Sequence, residues 1–156
     1  MAETIRTILA PARHLLIGIG AQKAGTTWVF EQLARHPDVH LARPKELHYW
    51  DTVRPPFAQR YTTLATSRMQ AVRQAGPIQR LQTVLKPALR RKHAQLAAYA
   101  DLLIGDPFDH SRYARYLMAG RRGQSIVGDI TPRYALLSSA TFAEIDALHA
   151  DIRYLY

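Results

Sequence analysis

The chain has 156 residues, a formal net charge of +9 and no cysteine. This length suits one domain with its own hydrophobic core, and the lack of cysteine excludes disulfides, thiolate metal sites and a cysteine nucleophile. The excess of basic residues predicts an anionic partner, such as a nucleotide, nucleic acid, acidic glycan or lipid headgroup, although solubility alone is the alternative explanation. The first residues lack the pattern of a secretory signal, and no apolar run approaches the roughly 18 residues that span a bilayer. We therefore expect a cytoplasmic protein without a transmembrane segment.

The first predicted elements are a strand, a loop, a helix and a second strand. His14–Ile19 is an apolar run of the kind that forms a central parallel strand, buried on both faces. A loop over 20–25 follows, and Thr26–Arg35 is predicted to be a helix. The helix should end before Pro37, because the residue that precedes a proline avoids helical geometry. Val39–Leu41 is predicted to be a short second strand.

The segment 55–120 is predicted to be helical and basic, and to form an insert on the acceptor side of the domain. Pro77 and Pro87 must each break or begin a helix there. The cluster Arg90-Arg91-Lys92 is explained either as a solvated helix face or as a patch that faces an anionic substrate. We recognise no motif in this segment.

The last part of the chain is predicted to alternate again between strands and helices. Ser125–Asp129 and Ile152–Tyr156 are predicted strands, and Thr131 opens a turn or short helix through Leu137. Thr141–Glu144 fits a capping box at the start of a helix. Alternating strands and helices predict an α/β fold with a parallel sheet flanked by helices. We assign residues 1–156 to one domain, and we expect that domain to be incomplete because the chain stops inside a predicted inner strand.

The loop between the first strand and the first helix is the most informative segment, Gly20-Ala-Gln-Lys-Ala-Gly-Thr-Thr-Trp28. Such a loop aims successive backbone N–H groups at one point, where the helix dipole also favours negative charge. Gly20 and Gly25 have the spacing of the Walker A glycines, but Thr26 stands where the Walker lysine belongs and Lys23 comes earlier. The loop is therefore predicted to bind a phosphate or sulfate group without being an ordinary ATPase loop. A plain strand–helix turn is the alternative.

Gln22–Thr27 resembles the 5′-phosphosulfate-binding loop of sulfotransferases that use 3′-phosphoadenosine 5′-phosphosulfate (PAPS), and it is most similar to the bacterial and heparan-sulfate-type branch. His36-Pro37, followed by Lys45-Glu-Leu-His-Tyr-Trp-Asp51, is similar to that branch's His-Pro and Lys-Glu-x-His-aromatic-aromatic segments. Gly128-Asp-Ile-Thr-Pro-Arg-Tyr134 is similar to its Gly-Glu-Lys-Thr-Pro-x-Tyr segment. The resemblance, in the family's order over three motifs, implies a P-loop-like fold that is truncated before the strand and helix of the 3′-phosphate site.

The resemblance also implies roles on the donor side of the site. A sulfuryl group would pass in line from PAPS, the co-substrate, to an acceptor hydroxyl or amine, with no metal required. Lys23 would offset the charge that develops on the leaving phosphate. The residues assigned to the donor in this way are Gln22, Lys23, Ala24, Gly25, Thr26, Thr27 and Trp28.

Glu46 and His48 are the candidate residues on the acceptor side. The acceptor hydroxyl must lose a proton during transfer, and the matching glutamate of the family is the general base, which makes Glu46 the candidate. A surface ion pair between Glu46 and Lys45 or Arg43 is the alternative. His48 is a second candidate base or an orienting partner, and a packed structural histidine is the alternative there.

The third motif departs from the family at Ile130, which stands where many members have lysine. Arg133 is the candidate replacement for that charge. Asp129 and Thr131 are expected to line the substrate side of the cleft, because open α/β sheets place ligands at strand ends. The family's 3′-phosphate site uses an arginine and a serine that would lie beyond Tyr156. We therefore expect this chain alone to bind the donor poorly and to be inactive.

Two other classes of function remain open at this stage. One is a nucleotide kinase or NTPase, against which the position of the loop lysine argues. The other is a non-enzymatic basic module for nucleic acid or an anionic membrane surface, and a degenerate, inactive remnant is a further alternative. No aromatic-studded basic stripe is evident, so we predict no nucleic-acid partner. A carbohydrate or a small alcohol is the expected acceptor, with lipids and peptides left open.

Overall fold

The computed structural model of the chain describes residues 4–52, 67, 70, 87–104, 106 and 108–156. The chain divides into two compact units, a sheet unit of Met1–Asp51 with Asp109–Tyr156 and a helical unit of Thr52–Phe108. In chain order the elements are α1 (Ile5–Leu9), β1 (His14–Gly18), α2 (Thr26–Leu33), β2 (Val39–Leu41), α3 (Tyr49–Thr52), α4 (Pro87–Ile104), α5 (Ser111–Met118), β3 (Ile126–Ile130), a 3₁₀ helix (Pro132–Leu136), α6 (Ser139–Asp146) and β4 (Ile152–Leu155).

The four strands form one sheet in the order β2-β3-β1-β4, and every pairing is parallel. This confirms the predicted α/β fold with a parallel sheet flanked by helices. The apolar run of β1 follows from its inner place, since it pairs with strands on both sides and Leu15 and Ile17 are fully buried. Gly128 of β3 is required by close packing, because a Cβ there would lie 2.3 Å from the carbonyl oxygen of Leu16.

Helices cover both faces of β3. Ile130 packs in a buried cluster with Phe30 of α2 and with Val39 and Leu41 of β2. The preceding residue, Asp129, accepts a hydrogen bond from Tyr113 of α5. Successive side chains of a strand point to opposite faces. The helices α2 and α5 therefore lie on opposite faces of the strand that carries the third motif.

Most predicted boundaries differ from the observed ones by one or two residues. The helix α2 begins at Thr26 as predicted and ends at Leu33, two residues before the predicted end. The predicted capping box at Thr141 is wrong, because α6 begins earlier, at Ser139. The hydroxyl of Ser138 caps that helix by accepting from the backbone N–H of Thr141. A serine three residues upstream supplies the cap, so Thr141 lies inside the first turns.

The predicted helical segment 55–120 falls in both units. Its described part in the helical unit is mainly α4, which begins at Pro87 and so agrees with one of the two roles predicted for that proline. Of the cluster Arg90-Arg91-Lys92 on α4, Arg91 is exposed. The helix α5 belongs to the sheet unit. Pro77 lies outside the described residues, as does most of the segment before Pro87.

Candidate functional site

The loop after β1 turns through two residues with left-handed backbone geometry. Lys23 has a φ of 61° and Gly25 a φ of 82°. Gly25 is the N-cap of α2, and no side chain caps this end of the helix. The first N–H groups of a helix have no partner within the helix, and the helix dipole favours negative charge beside them. The sequence-predicted loop therefore presents an uncapped helix start next to Lys23.

One pocket of about 340 Å³ collects residues from all three motifs. Gln22, Lys23, Gly25, Thr26 and Thr27 come from the loop, Lys45 and Glu46 from the second motif, and Pro132 from the third. We call it the carboxyl-edge pocket. The remaining sequence-predicted site residues do not line it: Ala24, Trp28, His48, Asp129, Thr131 and Arg133.

Sheet topology explains why these segments meet. The loop follows β1, the second motif follows β2, and Pro132 follows β3, and the carboxyl ends of parallel strands share one edge of a sheet. Two backbone hydrogen bonds extend the pairing past the strand ends. Thr131 N–H donates to the carbonyl oxygen of Gly18 at 2.9 Å, and Glu46 N–H donates to that of Ile130 at 3.1 Å.

Three non-glycine residues have a positive φ among the residues that the structure describes, and they are the three predicted catalytic ones. The angles are 61° for Lys23, 61° for Glu46 and 54° for His48. Left-handed geometry is unfavourable for such residues, at about 1–3 kcal/mol each, and persists only when the surroundings impose it. Such residues concentrate at functional sites, so the backbone singles out the same positions as the motifs.

A buried hydrogen-bond network around Asp129 contacts the second motif next to its two residues of positive φ. Its carboxylate accepts from the hydroxyls of Tyr134 at 2.8 Å, Thr131 at 2.9 Å and Tyr113 at 3.3 Å. It also accepts from the backbone N–H of Leu47, which lies between the two strained residues of that motif.

Tyr134 extends the network to the next residues of the chain. Its phenol oxygen accepts from the backbone N–H groups of Tyr49 at 3.0 Å and Trp50 at 3.4 Å. These are the first two residues of α3, so the phenol oxygen caps the N-terminus of this helix. The third motif thereby holds the second motif in place at both Leu47 and Tyr49.

Asp129 and Thr131 are buried and do not line the carboxyl-edge pocket. They are 1% and 0% exposed, and their polar side-chain atoms bond to each other and to the buried network. Burial raises the pKa of the Asp129 carboxyl to about 6, although the hydrogen bonds from Tyr134, Thr131 and Tyr113 act in the opposite direction. The geometry gives these two residues a supporting place, and their predicted contact with substrate stays a prediction.

A row of charged side chains leads from Lys45 at the pocket to the buried Asp51. Lys45 Nζ lies 2.5 Å from Glu46 Oε1, and His48 Nε2 lies 3.6 Å from Glu46 Oε2. His48 Nδ1 lies 2.8 Å from Asp51 Oδ2, and the Nε of Arg133 lies 3.5 Å from the same oxygen. The predicted alternative for Glu46, a pair with Lys45, is therefore present. It does not remove Glu46 from the pocket, because this side chain is 41% exposed and still lines it.

Asp51 is the member of this row of charged side chains to which the sequence motifs gave no role. It is 7% exposed, and its Oδ2 lies within hydrogen-bond distance of His48 Nδ1, at 2.8 Å. The other ring nitrogen then faces Glu46. The spacing His48-x-x-Asp51, across the start of α3, was the available signal. Arg133 lies beside Asp51 and does not line the pocket, and its predicted role as the replacement for a missing cation stays a prediction.

Trp28 lies in the first turn of α2, directly after Thr27 of the pocket wall, and is 65% exposed. Trp50, the other tryptophan, is 1% exposed. Within the described ranges no group of His, Asp or Glu side chains has an arrangement that could hold a metal ion, and the metal-free site stays a prediction. None of the described helices is long and apolar enough to cross a membrane.

Comparison of the chain with models of protein families, with curated proteins and with solved structures found no significant match.

Proposed function

We propose that this chain forms the donor-binding part of a PAPS-dependent sulfotransferase, which transfers a sulfuryl group to an acceptor hydroxyl or amine. One observation carries the proposal. Three motifs that are far apart in the sequence line a single pocket, and they bring an uncapped helix start, a lysine, two threonine hydroxyls and a carboxylate to one place. That set of groups suits a phosphosulfate next to a group that must lose a proton.

The chemistry follows from what each group offers. The backbone N–H groups at the start of α2 and the hydroxyls of Thr26 and Thr27 donate to the phosphate of the donor. The ammonium of Lys23 stabilises the charge that grows on the leaving phosphate as its bond to sulfur breaks. Glu46 accepts the proton of the acceptor hydroxyl while the hydroxyl oxygen forms its bond to sulfur.

His48 and Asp51 orient Glu46 in this proposal. The buried carboxylate of Asp51 holds one face of the imidazole at 2.8 Å, so the opposite nitrogen points to Glu46. A fixed neighbour restricts the rotamers of a half-exposed glutamate, and a correctly oriented base is more effective than a mobile one.

Trp28 supplies a further element on the donor side. Its exposed indole stands next to the pocket wall, and an aromatic face of this kind offers a stacking surface to a nucleobase. Because Trp28 is exposed and follows Thr27 of the pocket wall, its fluorescence should change when a ligand binds.

The test is sulfate transfer by the protein produced from the complete gene, with PAPS labelled in its sulfuryl group and a panel of sugar and small-alcohol acceptors. Lys23→Ala and Glu46→Gln should each lower kcat by about 100-fold or more, as loss of a transition-state contact does. Arg122→Ala is the matched control, since Arg122 is an exposed cation outside the pocket, and it should retain full activity.

Wild-type rates in both pocket variants would contradict the proposed roles. The same samples are assayed with ATP and GTP in the presence of magnesium. Nucleotide hydrolysis without sulfate transfer would replace the sulfotransferase proposal by an NTPase.

A further inference from the structure

Lys45 is the second cation of the carboxyl-edge pocket. Its Nζ lies 2.5 Å from Glu46 Oε1, and its side chain is 18% exposed. An ammonium group has three N–H donors, and the bond to Glu46 occupies one of them. The group therefore lies in the pocket with the capacity to bind a second acceptor.

Two neighbouring positions at this edge of the sheet, Ile130 and Arg133, do not line the pocket. Arg133 lies beside the buried carboxylate of Asp51 at 3.5 Å. Ile130 is 2% exposed and packs against Phe30 of α2. Lys23 and Lys45 are thus the two cations that the described residues contribute to the wall of the pocket.

We infer that Lys45 is a second anion-binding residue, which pairs with Glu46 until an anion enters the pocket and then moves from the carboxylate to the anion. The inference deepens the proposed function and rests on it. Once Lys45 has moved to the bound donor, the Glu46 carboxylate no longer has a paired cation. It can then accept the proton of the acceptor hydroxyl. The proton passes to Glu46, the acceptor oxygen bonds to sulfur, and the bond between sulfur and the donor phosphate breaks.

The exchange is physically inexpensive. The Glu46 side chain is 41% exposed, so water can solvate its carboxylate once Lys45 has left it, which lowers the cost of separating the pair. A bond from an ammonium to a multiply charged phosphate or sulfate is charge-assisted and stronger. The left-handed backbone at Glu46 and its N–H bond to Ile130 hold the carboxylate at the pocket while the longer lysine side chain moves.

The experiment measures the affinity of the 156-residue chain for inorganic pyrophosphate by calorimetry at constant ionic strength. This probe has two linked anionic groups and needs only the carboxyl-edge pocket. Lys45→Gln should weaken binding about tenfold, and Lys45→Arg, which keeps the charge, should restore most of the affinity. Arg122→Gln, with the same loss of charge at an exposed site outside the pocket, should change the affinity by less than about twofold.

A double-mutant cycle tests the exchange itself. Glu46→Gln should tighten pyrophosphate binding about fivefold when Lys45 is present, because the lysine no longer has to leave a carboxylate. In the Lys45→Gln background, Glu46→Gln should tighten pyrophosphate binding by less than about twofold. There it removes only the direct repulsion between the carboxylate and the anion. An equal gain in both backgrounds, or full affinity in Lys45→Gln, would overturn the inference.

Lys23→Gln separates this result from the proposed function. A loss of affinity in Lys23→Gln, combined with an additive Lys45–Glu46 cycle, would leave the proposed function standing and remove the role of Lys45. Absence of pyrophosphate binding in the wild-type chain, or wild-type affinity in Lys23→Gln, would contradict both the proposed function and the role of Lys45.

Discussion

Two concave regions of the sheet unit differ in size and in chemistry. The carboxyl-edge pocket has a volume of about 340 Å³ and is lined by lysines, hydroxyls and a carboxylate. A larger apolar recess of about 480 Å³ lies beside α2, and its lining residues are His14, Leu16, Val29, Leu33, Val39, Ile126, Arg153 and Leu155. The larger region contains no residue of the three motifs. Convergent polar groups, rather than volume, therefore identify the candidate site.

The two regions also differ in what supports them. The recess is bounded by side chains that pack in the apolar cluster around Phe30 and Ile130. The pocket rests on a buried carboxylate, that of Asp129, with its ring of hydroxyl donors. Apolar burial is non-directional, whereas hydrogen bonds demand defined distances and angles. We therefore expect changes below the pocket to affect the site, and changes at the recess to affect stability alone.

The largest expected effect is the pH dependence of stability that Asp129 introduces. Its pKa is about 6 in the folded chain and near 3.8 in the unfolded chain, so the folded state binds the extra proton between these values. The contribution of Asp129 to the free energy of unfolding should therefore rise as the pH falls from 7 to 4. The rise is up to about 3 kcal/mol, since each pKa unit is worth about 1.4 kcal/mol.

Asp129→Asn isolates this contribution. Urea unfolding of both proteins across this pH range gives the difference in stability, from which groups common to both cancel. The difference between wild type and Asp129→Asn should grow in favour of the wild type as the pH decreases. A constant difference would show that the buried carboxyl keeps an ordinary pKa.

The next effect concerns Tyr134→Phe, which removes the phenol that joins Asp129 to the backbone of α3. We expect a loss of about 2 kcal/mol in the free energy of unfolding, because buried hydrogen-bonding groups lose their partner. We also expect weaker pyrophosphate binding, because Glu46 and Lys45 are no longer held in place. Calorimetry and urea unfolding measure the two effects.

Tyr154→Phe is the matched control for that variant. The Tyr154 hydroxyl bonds to Asp146 at 2.5 Å on the surface, with the residue 39% exposed, so its loss should change stability by less than about 1 kcal/mol. Pyrophosphate affinity should be unchanged. Equal effects of the two substitutions would contradict the role of Tyr134 in supporting the pocket.

The smallest effect is expected at the recess. Leu33→Ala shortens a half-buried side chain at the far end of α2 from the loop and should lower the free energy of unfolding by about 1 kcal/mol. The affinity for pyrophosphate should match that of the wild type. A large loss of affinity would show that the two regions are coupled and would contradict the expectation that changes at the recess affect stability alone.

The strand, loop and helix of the first motif were predictable because their signals are local. The apolar run of β1, the glycines of the loop and the threonine that starts α2 are neighbours in the sequence, and the predicted start of α2 at Thr26 is confirmed. The cap of α6 is also a local signal, but the capping-box pattern predicts Thr141, whereas Ser138 supplies the cap. Two hydroxyl residues three positions apart compete for one helix start, and sequence alone does not rank them.

The geometry of the second motif was decided only by the folded chain. Lysine, glutamate and histidine disfavour positive φ, so nothing in the residue types of Lys23, Glu46 and His48 predicts it. The bond between Tyr49 N–H and the Tyr134 phenol joins residues 85 positions apart. Such contacts exist only after β3 has paired beside β1 and β2. Local pattern therefore determined which segments carry chemistry, and long-range pairing determined which of their side chains reach the pocket and which support it from below.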